Sequence, residues 1–230
     1  MNMKPKSVYT FIINLFLFFS VSSAMANIPS GFVSLADVCP SIKVHMTYAS
    51  PDNFTGEIVA GYKAKKALLA KIPAEGLCLV QAEALKRGLC LRIFDSYRPV
   101  KAVAFFQAWA QRPETNPQIK KLYYPSFTRL QLFEQGYIAK QSSHSRGSAV
   151  DLTLVEADSG RSLDMGSAFD YFDDLSNTES PKVTNQQKIN RLILRELMEK
   201  QGFKNFAQEW WHYSFKPEPY PEQYFDFDIE

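Results

Sequence analysis

The stretch Gln141–Leu154 reads QSSHSRGSAVDLTL. Its serines would suit a linker, but a linker does not explain Asp151, a carboxylate set inside the apolar run AVDLTLV. Gly147 allows a sharp entry into that run, because glycine adopts backbone conformations that other residues resist. Ala149–Val155 is therefore expected to be a strand entered through a tight turn, with His144 in the turn and Asp151 on the strand. The chain has only 3 histidines, so one placed here asks for a chemical reason.

Working outward, Leu89–Phe94 (LCLRIF) reads as a buried strand that ends in the polar turn Asp95-Ser96-Tyr97-Arg98-Pro99, and Trp210–Lys216 (WWHYSFK) reads as another. Helical spacing of apolar residues runs over Glu75–Arg87, with Gly88 as the stop, and Val100–Gln111 is helical and rich in alanine and aromatics. Thr184 and Gln187 form a capping box that opens a helix to about Gln201, closed by Gly202. Ile189, Leu192, Ile193 and Leu197 make its apolar stripe, expected to face the core. The Pro-rich, acidic tail after the last strand is expected to be irregular. There is no repeat, low-complexity tract or long Gly/Ser linker. Strands and helices mix without regular βαβ alternation, which predicts an α+β fold: one compact domain with a small, mainly antiparallel sheet flanked by helices.

At the N-terminus, Lys4 and Lys6 precede the apolar run Val8–Val21, and Ala24-Met25-Ala26 supplies the small residues that a signal peptidase reads. Residues 1–26 are thus expected to be a secretory signal peptide. A membrane anchor needs roughly 20 continuous apolar residues, more than this run supplies. No cysteine follows the site, so no lipid anchor is expected there. Cleavage leaves residues 27–230, enough for one domain with a real core. The signal holds two lysines and no acids, so 24 of the 26 basic residues remain against 24 acidic ones, and the net charge falls from +2 to zero. Nothing in that balance points to nucleic acid or an anionic membrane as a partner. The expectation is a secreted, periplasmic protein without a stable membrane anchor.

Cys39, Cys78 and Cys90 remain. In an oxidising compartment Cys78 and Cys90 are the candidate pair, because a short helix-to-strand hairpin would bring them together and leave Cys39 over. The alternative is three small buried apolar residues. None has a CxxC partner or an obvious activating histidine, which argues against a thiol nucleophile.

The chemistry gathers around the two ends of the strand set. His144 precedes Asp151, and Glu209-Trp210-Trp211-His212 stands near the C-terminus, so 2 of the 3 histidines lie beside carboxylates at strand edges. Catalytic zinc takes three protein ligands from His and Asp or Glu and leaves its fourth position to water. His144, Asp151 and His212 make such a set, and imidazole with carboxylate suits zinc better than magnesium or calcium, which prefer oxygen alone. Glu209 is then the spare carboxylate. Positions three apart on a regular strand face opposite sides, so Glu209 shares a site with His212 only if it sits at the turn before the strand. There it could take a proton from a water that the metal has acidified to a pKa of ~7, and later return it to a leaving amine. On the residues alone, structural histidines remain the alternative. HExxH and GxSxG are both absent, which removes the commonest metalloprotease and serine-hydrolase readings.

Together, the pattern SxHxxGxAxDL over Ser142–Leu152, the arginine of the DSYRP turn and the Glu-x-Trp-His at residues 209–212 resemble the D-alanyl-D-alanine dipeptidases. That family sits in a zinc-peptidase superfamily with D-Ala-D-Ala carboxypeptidases and the hedgehog signalling domain, and the likeness is strongest to the vancomycin-resistance type. It runs from about Val44 to Phe215 and includes Tyr48-Ala49, Asp52–Gly56 and Met165–Asp170. The resemblance implies one zinc held by His144, Asp151 and His212, with Glu209 as general base and Arg98 steadying the oxyanion of the tetrahedral intermediate. It implies that Ser142, Asp170 and Tyr48 hold the free ammonium of the substrate. Where the family often has an acidic residue this chain has His45, which is read as structural or surface.

The resemblance thus predicts that residues 27–230 form a zinc-dependent hydrolase of free D-alanyl-D-alanine, acting in cell-wall turnover or D-alanine salvage. One alternative is a peptidoglycan D,D-carboxypeptidase or endopeptidase on the same scaffold. The other is a zinc-bearing binding module without turnover, against which the retention of Glu209 and Arg98 argues.

Overall fold

The apolar run after Gly147 forms the middle strand of a five-stranded sheet, and nearly every residue in it is buried because both of its faces are covered. The computed structural model describes Met1 and residues 28–230, so the expected signal peptide and its cleavage site lie outside the described residues. In chain order the elements are β1 (Phe32–Ser34), α1 (Leu35–Val38), β2 (Lys43–Val44), β3 (Leu68–Ala70), α2 (Lys71–Leu85), β4 (Leu89–Asp95) and α3 (Val100–Ala110). There follow α4 (Pro117–Tyr123), α5 (Arg129–Glu134), β5 (Ala149–Glu156), α6 (Asn185–Glu199), β6 (Phe203–Phe206) and β7 (Glu209–Phe215).

The main sheet has the order β2-β4-β5-β7-β6, and β1 pairs with β3 in a separate two-stranded sheet. Only β2 runs parallel to its neighbour β4; the other pairings are antiparallel. The fold is α+β in one compact unit, as expected from the mixed order of elements. Leu91, Ile93, Val150, Leu152 and Leu154 of the sheet join Leu77, Val80 and Ala84 of α2 and Leu194, Leu197 and Met198 of α6 in one apolar core. Each of the larger side chains among them contributes roughly 1.5–3 kcal/mol when fully withdrawn from water. Away from that core, Asp151 of β5 and His212 of β7 stand opposite each other in the sheet.

Local signals placed most of these elements well. Gln187 N–H donates to Thr184 Oγ1 at 3.3 Å while Thr184 N–H donates to Gln187 Oε1 at 2.8 Å, completing the capping box of α6. Helix α2 starts earlier than the apolar spacing indicated, and Pro73 is tolerated in its first turn because the N–H it lacks would have no acceptor there. Two expectations need correction. The buried face of α6 is Asn190, Arg191, Leu194, Leu197 and Met198, while Ile189 is exposed. The helix is turned because the fully buried Arg191 donates to the carbonyls of Met165 (2.6 Å), Asn177 (2.6 Å) and Leu175 (3.0 Å) and so pins the loop above the sheet. Cys78 and Cys90 do not pair: all three cysteines are free. Cys90 lies against Gln81 and the Ser41 carbonyl, whereas Cys78 lies 3.6 Å from the Val38 carbonyl. Burial, with Cys39 beside it, pushes the Cys78 thiol up to about 12. The acidic tail lacks regular structure, as expected, but it is firmly tied down, with Ile229 fully buried.

Candidate active site

Each residue of the site owes its place to a local feature of the chain. The short 3-10 turn Ser143–Arg146 leads into β5 and carries His144. Ser142 caps it, its Oγ accepting from the His144 N–H at 3.2 Å, and Gly147 closes it at φ +67. A Cβ at Gly147 would stand 2.5 Å from the Phe32 ring, so glycine is required there for space as well as for its dihedral. Asp151 on β5 is directly opposite His212 on β7, and cross-strand partners share a face. A bulge between Ile93 and Asp95 brings Asp95 into register with Asp151, so the strand end and the Arg98 turn reach the same face.

Glu209 is the first residue of β7, and the strand is not regular after it. Asn205 pairs with Tyr213, yet the next residue, Phe206, pairs with Glu209, so the intervening residues are bowed out of register. Asn205 Nδ2 holds that bow by donating to both the Glu209 and the His212 carbonyls at 3.1 Å. The irregularity cancels the strand alternation that would have put Glu209 and His212 on opposite faces, and both line one cavity.

That cavity has a volume of about 190 Å³. It is small beside the ~300–1,000 Å³ of clefts that take drug-sized molecules. Arg98, His144, Asp151, Asp170, Glu209 and His212 all reach it, and Tyr48, Phe106 and Trp211 form part of its aromatic wall. All eight residues singled out from the sequence, including Ser142, therefore line one space. His45, by contrast, is exposed and faces a different depression.

The three proposed ligands meet at one point. His144 Nε2 and His212 Nδ1 are 3.2 Å apart, His212 Nδ1 and Asp151 Oδ1 are 2.9 Å apart, and His144 Nε2 and Asp151 Oδ2 are 3.3 Å apart. A tetrahedral metal with bonds of ~2.0 Å has ligand–ligand edges of about 3.3 Å, so this donor set fits a zinc-sized ion. His144 Nδ1 donates to the Ser96 carbonyl at 2.6 Å, which leaves the lone pair of Nε2 for the shared point. Among the described residues this is the cluster suited to hold a metal ion.

The electrostatics divide the carboxylates by task. Burial works against the charge of Asp151, but His144 and His212 beside it hold its carboxyl well below the ordinary range. Burial, reinforced by negative Asp151, pushes Glu209 the other way, from 4.5 to about 8. A carboxyl with that affinity can hold and release a proton near neutrality, which is what a general base requires. Asp170 is also raised well above its ordinary range by burial and by Asp151. Its partner is Tyr48, whose OH donates to Oδ2 at 2.9 Å, and it sits at φ +59, a backbone conformation that costs a non-glycine residue energy. A strained, buried carboxylate facing a cavity favours a cationic group from a ligand. Burial opposes the charge of Arg98, but Asp95 and Asp151 more than offset it, and its guanidinium stays charged. Its Nε donates to Asp95 Oδ2 at 2.8 Å, its Nη2 to Asp151 Oδ2 at 3.4 Å, and it lies over the Tyr48 and Phe106 rings.

Sequence reasoning passed over Asp95, which was visible as the aspartate heading the Arg98 turn. It also missed Tyr62, whose OH donates to Asp95 Oδ1 at 2.6 Å, and Asn205; no local signal marks either.

Residues 29–230 match the family model described as D-ala-D-ala dipeptidase. The chain belongs to the D-ala-D-ala dipeptidase family. It is 42% identical over 200 residues to the D-alanyl-D-alanine dipeptidase of Enterococcus faecalis, and 40% identical over 200 residues to that of Enterococcus faecium. Each alignment covers 87% of this chain and 98% of the relative. The D-alanyl-D-alanine dipeptidase of Escherichia coli is 33% identical over 181 residues, covering 79% of this chain and 82% of its own. Membership places the chain among metal-dependent peptidases, and the His144–Asp151–His212 cluster provides it with a candidate metal site.

Proposed function

We propose that this chain is an exported zinc dipeptidase that hydrolyses free D-alanyl-D-alanine to two D-alanines, in cell-wall turnover or D-alanine salvage. The observation that carries this reading is the single small cavity in which the His144–Asp151–His212 cluster, Glu209, Arg98 and the Tyr48–Asp170 pair converge. Its size favours a dipeptide over the longer peptides that a carboxypeptidase or endopeptidase would take. Relatives bearing the name D-alanyl-D-alanine dipeptidase support the choice of substrate.

His144, Asp151 and His212 would hold the zinc. When bound it supplies Lewis acidity that polarises a carbonyl and lowers the pKa of water to ~7. Asp170, oriented by Tyr48, receives the substrate ammonium and so sets which carbonyl lies in the cavity centre, with Ser142 at the rim. Glu209 takes the proton from the attacking water and returns it to the leaving amine. Arg98, fixed by Asp95, presents its guanidinium to the oxygen on which negative charge develops, a contribution worth several kcal/mol in a site that excludes water. Residues 1–26 direct export and are removed before Asn27, so the enzyme acts outside the cytoplasm, in the periplasm. A place outside the cytoplasm suits salvage of D-alanine better than depletion of a cytoplasmic precursor pool.

The test is product analysis and zinc content of the purified chain on D-Ala-D-Ala beside N-acetyl-D-Ala-D-Ala. Acylation leaves Asp170 facing no cation, at a cost of about 3 kcal/mol, so the acylated substrate should be cleaved at least ~100-fold less efficiently. Equal kcat/KM on the two would favour the carboxypeptidase reading.

A further inference from the structure

We propose that the C-terminal tail is a positioning element of the active site: its last six residues, Phe225–Glu230, lock the Arg98 turn against the turn that carries His144. This rests on the hydrolytic reading above and extends it to a segment that does not line the cavity. The observation begins with an incomplete helix. The first N–H groups of any helix lack acceptors within it, and α3 starts after Pro99 with no side-chain cap of its own. The tail supplies the missing acceptors: Val100 N–H donates to the Phe225 carbonyl at 3.0 Å, and Lys101 N–H to Asp226 Oδ1 at 2.7 Å.

Phe225 reaches both turns at once. Its own N–H donates to the Ser145 carbonyl at 2.8 Å, so one residue bridges the His144 turn and the start of α3. Next along the tail, Phe227 stacks on Tyr97 with ring centroids 4.0 Å apart, and its carbonyl accepts from the Tyr97 OH at 2.9 Å. Tyr97, Val100 and Lys101 therefore hold the backbone on either side of Arg98 against the tail.

A second grip acts on the guanidinium itself. Fully buried Ile229 accepts from the Lys63 and Ala64 N–H groups at 3.0 and 2.9 Å, and its own N–H donates to the Gly61 carbonyl at 2.8 Å. Between them stands Tyr62, whose OH is bound to Asp95, the same carboxylate that holds Arg98 Nε. The tail thus fixes Arg98 through its backbone neighbours and through the Tyr62–Asp95 pair, and it makes no hydrogen bond to His144, Asp151, His212 or Glu209. Misplacing a catalytic group by ~1 Å can cost on the order of 100-fold in rate.

The experiment compares the full-length chain with a chain ended after Tyr224 and with Asp226→Ala, each with and without Arg98→Ala. The tail-less chain should keep its bound metal and far-UV circular dichroism, hold KM on D-Ala-D-Ala within about threefold, and lose at least ~10-fold in kcat. In the Arg98→Ala background the same truncation should change kcat by less than about threefold, because the group it positions is already gone. Equal losses in both backgrounds, or an unchanged kcat, would overturn the proposal. Should the truncated chain fail to fold, Asp226→Ala decides by the same pair of comparisons, with a smaller loss of about threefold expected only where Arg98 is present. If the full-length chain does not cleave the dipeptide, the hydrolytic reading falls. Amide exchange at Val100 and Lys101 then judges the tail alone, and at least ~10-fold faster exchange in the truncated chain is expected.

Discussion

Replacing Glu209 with glutamine asks whether this site is built at the expense of the fold. The group is 8% exposed and is pushed from 4.5 to about 8 by burial, with Asp151 adding to the rise. A carboxyl raised in this way keeps its proton in the native chain at pH values where the unfolded chain has already released it. Its contribution to stability is therefore complete below pH 4.5 and is lost as the pH climbs towards about 8. From pH 4.5 to 7 the loss accrues at ~1.4 kcal/mol per pH unit, about 3 kcal/mol in all, and access of water through the cavity lowers it to ~1–3 kcal/mol. Glutamine keeps the shape and removes the titration. Metal-free Glu209→Gln should therefore melt roughly 2–12 °C above metal-free wild type at pH 7, at ~2–4 °C per kcal/mol for a chain of this size. The gap should close near pH 4.5 and shrink when a bound cation offsets the charge. Turnover should fall by ~100-fold or more. Calorimetry of chelator-treated proteins from pH 4.5 to 8, with kcat on the dipeptide, makes the measurement. A variant that melts lower than wild type at pH 7, or a difference independent of pH, would refute the argument.

Two further outcomes are expected. His144→Ala, Asp151→Ala and His212→Ala should each lose most bound zinc by elemental analysis, since two protein ligands rarely hold it tightly; near-stoichiometric metal in all three would place the ligands elsewhere. Arg191→Leu leaves the Met165, Leu175 and Asn177 carbonyls without their donor, and urea unfolding should show a loss of ~3–5 kcal/mol. A change below ~1 kcal/mol would mean that this arginine does not hold the loop that carries Asp170.

Much of this arrangement was legible in the residues because its signals are local. Gly147 announced the turn, the apolar run around Asp151 announced the strand, and Thr184 with Gln187 announced a helix start. The site residues could be named because their types and spacing match one chemistry and one family. What stayed hidden depends on contacts between distant segments. The rotation of α6 follows from Arg191 finding carbonyls on another loop, which apolar periodicity does not register. The pairing expected of Cys78 failed because α2 turns that thiol towards α1 and turns Gln81 towards Cys90. Glu209 posed the sharpest case: strand alternation set it against His212, and only the slip held by Asn205 reconciles the two.

The pairing of Asp151 with His212 across β5 and β7 has a further consequence. Two of the three proposed ligands are nearest neighbours in a ladder, although 61 residues separate them along the chain. Sliding either strand by one residue would turn its ligand to the far face of the sheet, so such a slip does not retain a usable pair. A cation seated there acts as a rivet through the centre of the sheet, and its affinity becomes a gauge of whether the strands have met in the correct alignment. Cofactor loading then reports on strand alignment, and a chain that has misaligned its sheet is empty for the same reason that it is misfolded.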